Sequence, residues 1–105
     1  MAELIQQYKE QIASRGTEYV IRVYGEQRTD DSWDGWVEFH PLDDVNEVLR
    51  TGRETWQPDR GALAYWASGL EALYFDGAIQ RARPQEEEPS RDRRRQDDEP
   101  RAEAR

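Results

Sequence analysis

The feature that most constrains this chain is the break in composition at Ala82-Arg83-Pro84. Ahead of it, apolar residues recur at helix and strand periods. Behind it, PQEEEPSRDRRRQDDEPRAEAR holds no aromatic residue and no aliphatic one larger than alanine. A segment without apolar surface to bury cannot offset the entropy of ordering its backbone. The sequence therefore predicts one small folded domain over residues 1–83 and a disordered charged tail over 84–105. The alternating blocks of the tail, Glu86-Glu87-Glu88, Arg91 to Arg95 and Asp97-Asp98-Glu99, read as a solubilising end.

A domain of this size supports a single core and leaves little room for a deep, enclosed active site. The chain has no cysteine, which excludes disulfides and thiolate metal centres. No stretch approaches the ~20 apolar residues of a membrane span. The opening MAELIQQYKEQ lacks the charged-then-apolar pattern of a signal peptide, so a cytoplasmic location away from membranes is expected. The formal net charge is −8, and neither the domain nor the tail is basic. Such a field repels a phosphate backbone, which disfavours general nucleic-acid binding.

Along the domain, Leu4, Ile5, Tyr8 and Ile12 recur at helical spacing, which predicts an amphipathic helix from Ala2 to Arg15 closed by Gly16. TEYVIRVY, Thr17 to Tyr24, is dense in β-branched and aromatic residues and reads as a strand. A polar loop from Gly25 to Ser32 leads to a second strand from Trp33 to His40, ended by Pro41. Alternation puts Tyr19, Ile21, Val23, Val37 and Phe39 on core faces. Val48 to Trp56 reads as a third strand with a bulge at Gly52. Asp59 then caps a helix carrying Leu63, Trp66, Ala67, Leu70 and Leu73, in which Gly69 either kinks one helix or separates two. The expected architecture is α+β: an N-terminal helix, a three-stranded antiparallel meander, and a C-terminal helix or kinked pair, with the helices on one sheet face.

Two constellations invite chemistry. Asp30, Ser32 and Asp34, followed by Gly35, imitate the opening of a calcium loop, but Pro41 stands where the bidentate glutamate belongs. A hydrophilic hairpin turn accounts for these residues without a metal. His40, the single histidine, has Glu38 two residues away, yet no cysteine and no serine in a nucleophile turn completes a catalytic set. The chain reads as non-enzymatic, with no cofactor.

The remaining candidate is a surface. With helices on one side, Val20, Arg22, Tyr24, Trp36, Glu38 and His40 share the other, and this mixture of rings and charges is typical of protein interfaces. Self-association or a protein partner fits it. The alternative is single-stranded nucleic acid stacked on the same rings, which the neighbouring acids oppose. Arg50 and Arg53 are expected to point outward from the third strand and pair with acidic neighbours.

On Tyr19-Val20-Ile21-Arg22-Val23, the aspartate-rich hairpin, Trp36-Val37-Glu38-Phe39-His40-Pro41-Leu42, and Val48 to Thr55 followed by Pro58-Asp59 and the helix from Leu63 to Leu70, the chain resembles HicB-like small domains. The resemblance covers roughly 50 residues and implies an antitoxin or regulatory module that binds a protein partner. It carries over no functional residue.

Overall fold

The computed structural model describes residues 1–84, so the predicted tail beyond Pro84 lies outside the described residues. Seven elements follow in order: β1 (Glu3–Ser14), β2 (Thr17–Gln27), β3 (Trp33–Pro41), β4 (Leu49–Arg50), β5 (Thr55–Gln57), α1 (Arg60–Ser68) and α2 (Ala72–Ala82). The fold is α+β, with an antiparallel sheet ordered β1-β2-β3-β4 and β5 also pairing with β3.

The expected N-terminal helix is instead the edge strand β1, and the three-stranded meander is correspondingly too small. Two devices explain the misleading pattern. Register irregularities between Leu4 and Gln6 and between Gln7 and Gln11 insert extra residues opposite β2. These insertions turn Ile5, Tyr8 and Ile12, spaced by three and four, toward one side of a strand, where they pack against the core. Gly16 does not end a helix. Arg15 (φ 52°) and Gly16 (φ 82°) are the two central residues of a tight hairpin between the paired Ser14 and Thr17. Left-handed backbone at both positions matches the twist of the flanking strands.

The central hairpin follows the alternation. Ile21 faces Phe39 and Val23 faces Val37 on the core side. The strands run further than the pattern suggested, because Gly25 pairs with Gly35 and Gln27 with Trp33. The turn proper is Arg28 to Ser32, closed by the Arg28 amide donating to the Ser32 carbonyl at 2.7 Å.

The predicted third strand is broken into β4 and β5, which dock on β3 in succession. Between them Thr51 is buried and repairs the ladder. Its amide donates to the Val37 carbonyl at 3.0 Å, and its hydroxyl oxygen accepts the Val37 amide at 3.1 Å. The break therefore leaves no orphaned backbone group at Val37.

Gly69 separates two helices rather than kinking one. It forms the C-cap of α1, while the Asp59 carboxylate caps the other end by accepting the Ala62 amide at 2.8 Å. Tyr8 reaches from β1 to donate its hydroxyl to the Ala67 carbonyl at 2.6 Å, a helix-end acceptor that also receives the Leu70 amide at 3.4 Å. Burial pushes the Tyr8 phenol up to about 12. Both helices lie on the sheet face carrying Tyr19, Ile21, Val23, Val37 and Phe39, and contribute Leu63, Ala67, Phe75, Ala78 and Ile79.

Leu63 of α1 is completely buried against the sheet. A methyl group built on Gly25 would sit 2.4 Å from one Leu63 δ-carbon, and one on Gly35 would sit 2.6 Å from the other. The glycine pair is thus a notch, one residue wide on each strand, and Leu63 fills it.

A polar clamp fixes α2. The Glu54 carboxylate, on the β4–β5 connection, accepts two bonds from Arg81, at 3.0 Å from Nε and 2.7 Å from Nη2, and a third from the Tyr74 hydroxyl. Burial pushes the Glu54 carboxyl up, but the Arg81 and Tyr74 hydrogen bonds and the Arg81 charge outweigh it, leaving the carboxyl below its ordinary value. A depressed carboxyl contributes stability that is complete above the unfolded pKa, about 4.3, and is lost as pH falls through the folded value.

Two outcomes follow. In urea denaturation, Leu63→Ala should cost about 2–5 kcal/mol and Gly25→Ala about 1–3 kcal/mol through overpacking. The double variant should lose less than the sum, because the alanine methyl enters vacated space; strict additivity would refute the notch. In acid titration followed by circular dichroism, Glu54→Gln should be less stable than wild type at neutral pH. The gap should narrow below about pH 4 as wild type protonates.

Candidate interaction face

The sheet face turned away from the helices is built by strict pairing. Val20 lies opposite His40, Arg22 opposite Glu38, and Tyr24 opposite Trp36. The six residues singled out in the sequence therefore share one surface. The rows extend to both edges: Leu4 pairs with Tyr24, Gln7 with Arg22, Gln11 with Val20, Arg50 with Glu38, and Trp56 with Asp34. Leu4, Arg50 and Trp56 belong to this face too. The helical spacing of Leu4, and the break in the strand that carries Arg50 and Trp56, hide this shared placement from the sequence pattern.

The centre of the face is knit together. The Trp36 indole N–H donates to Glu38 Oε2 at 2.9 Å, and His40 Nε2 meets Glu38 Oε1 at 2.9 Å, so both carboxylate oxygens are engaged. A carboxylate can only accept, which puts the His40 proton on Nε2. Tyr24 stacks at 14° to Trp36 with centroids 6.4 Å apart, and lies 6.2 Å from the His40 ring. The Arg50 guanidinium sits 4.2 Å from the Trp36 ring centroid, a cation–π contact rather than the acidic pairing expected of it. Arg53 does pair with an acid, Asp34, at 3.4 Å.

As a result Trp36 is only 4% exposed although no helix covers it. What the face offers to solvent is the half-buried Val20, Arg22 and Tyr24 and the edge residues Leu4 and Trp56, the last 51% exposed. Arg22 is held by its Nε donating to Gln7 Oε1 at 2.8 Å.

Asp30 and Ser32 are engaged by each other, and Asp30 and Asp34 by Arg28, which lies 4.0 Å from Asp30 Oδ1 and 3.0 Å from Asp34 Oδ2. Asp30 accepts the Ser32 amide and hydroxyl, which hold its carboxyl below the ordinary range. Ser32 in turn accepts the Trp56 indole N–H at 2.9 Å. Asp34 is taken by Arg28 at 3.0 Å and by Arg53. Among the described residues no group of three or more His, Cys, Asp or Glu side chains is placed to hold a metal ion. Among the described residues the side-chain hydrogen bond of His40 is to Glu38. Among the described residues no helix is long and apolar enough to cross a membrane.

Removing the guanidinium in Arg50→Ala should expose Trp36 and raise acrylamide quenching of tryptophan fluorescence, at a stability cost of about 0.5–2 kcal/mol. The increment should vanish when Trp36→Phe is added, which assigns it to this ring. An unchanged quenching constant would show that Arg50 does not cover the indole. No family model matches the chain, and no curated protein or solved structure is significantly similar to it.

Proposed function

We propose that this chain is a cytoplasmic, non-catalytic interaction or regulatory module that binds a protein partner, or a second copy of itself, through the face of Val20, Arg22, Tyr24, Trp36, Glu38 and His40. One observation carries the reading: both helices pack on the opposite face, and the face left over bears an aromatic and charged cluster. A cluster whose rotamers are already fixed loses little side-chain freedom on binding, which favours affinity. The HicB-like resemblance read from the sequence of residues 19–70 is in keeping with a regulatory module, although the strand expected before the helix is split into β4 and β5. The cysteine-free composition supports the cytoplasm.

Stacking of single-stranded nucleic acid on the same face is the weaker alternative. Trp36 is covered by Arg50 and Tyr24, so a base would have to displace them. Glu26, Asp34 and Glu38 add charge of the wrong sign on the same side.

Sedimentation of the full chain over a concentration series tests self-association. A dimer should be lost in the Arg22→Glu/Tyr24→Ala double variant while circular dichroism is unchanged. For a different partner, a photo-crosslinking residue at position 22 should trap a protein in the source cells, whereas one at the helix residue Tyr65 should not. Absence of both results would overturn the reading. Salt-sensitive binding of single-stranded RNA that Tyr24→Ala abolishes would replace it with the stacking alternative.

A further inference from the structure

On the helix side of the sheet, away from the proposed interaction face, a cavity of about 390 Å³ opens between β1 and the start of α2. That volume lies in the ~300–1,000 Å³ range of small-molecule sites. Its origin is the second irregularity of β1. Gln7 pairs with Arg22 and Gln11 with Val20, so Tyr8, Lys9 and Glu10 lie opposite Ile21 alone. The surplus chain disrupts close packing against the neighbouring strand, as bulges beside binding sites do elsewhere.

The walls and the mouth differ in chemistry. Ile12, Ile21, Leu70 and Phe75 line the interior, and the Tyr8 hydroxyl is already committed to the Ala67 carbonyl. The mouth carries Glu10, Glu71 and Asp76, and no lysine, arginine or histidine lines the cavity. None of these three carboxylates has a hydrogen-bond or ion-pair partner among the described residues. Glu71, although it is the N-cap of α2, makes no side-chain capping bond. The helix start contributes about half a positive charge, which offsets only a small part of three carboxylates. An apolar interior behind an uncompensated anionic rim is complementary to one kind of small molecule.

We propose that this cavity binds a small organic cation with an apolar body, an alkyl- or aryl-ammonium. The hydrocarbon lies against Ile12, Ile21 and Phe75, and the ammonium sits among Glu10, Glu71 and Asp76. The site is independent of the interaction face and of the function proposed for it.

The test is a low-salt NMR titration of the full chain with n-hexylammonium, 1-hexanol and hexanoate as probes of one length and different charge. Hexylammonium should shift Tyr8, Ile12 and Phe75 resonances saturably, with 1-hexanol bound about tenfold more weakly and hexanoate more weakly still. Glu71→Gln and Asp76→Asn, both at exposed positions, should each weaken hexylammonium about two- to fivefold, an effect that shrinks as salt is raised. Ala72→Trp should fill the cavity and abolish binding. If that variant does not fold, the two neutralised variants still decide the matter. Equal affinity for hexanol, indifference to neutralisation of both carboxylates, or no saturable shift would overturn the assignment.

Discussion

Most of this structure depends on the space left by two missing methyl groups. Gly25 and Gly35 face each other across neighbouring strands, and Leu63 enters the gap between them. This contact fixes where α1 lies on the sheet and how closely it approaches. With α1 seated there, Tyr8 can reach the end of the helix and donate to Ala67. The short Gly69 to Glu71 connection then brings α2 down on the same side, where Glu54 grips Arg81 and Tyr74. Each later contact assumes the earlier one. A β-carbon at either glycine would lift the helix and loosen the sequence of contacts that keeps both helices on one face.

That one-sidedness gives the other face its character. A sheet covered by helices on one side has to cope with water on the other, and here it does so with a saturated cluster. Glu38 spends both oxygens on Trp36 and His40, while Arg50 and Tyr24 cover the Trp36 ring. Trp36 is better described as the support of the surface than as its anchor. The groups left open to solvent stand around it: Tyr24, Arg22 and Val20 in the middle, Leu4 and Trp56 toward the edges.

The alternation of Tyr19 to Tyr24 and of Trp33 to His40 made the central hairpin and both its faces legible from the residues alone, because a period of two leaves no freedom once one side is buried. Asp59 was equally legible as a cap, since its role is local. β1 was not. Its glutamine, glutamate, lysine and leucine residues suit a helix, its apolar spacing is helical, and the irregularities that reconcile this spacing with a strand depend on β2. Arg15-Gly16 between two apolar stretches was the available signal of a hairpin. The pattern puts Gly25 in the hairpin loop and Gly35 in the second strand beside the aspartate-rich turn, and neither reading reveals their purpose, which lies in Leu63, 38 and 28 residues further along. Arg50 and Trp56 joined the outer face only once the break at Thr51 settled which strand segment each belonged to.

β1 also ends the sheet, 12 residues long and, among the described residues, with no strand beyond it. A long open border of this kind would ordinarily template the addition of further chains and lead toward fibrils. An incoming ribbon needs an even succession of donors and acceptors, and the two slips in the spacing of β1 break that succession before it has run half its length. The device that disguised the first strand as a helix therefore also protects the molecule from indefinite growth at its rim.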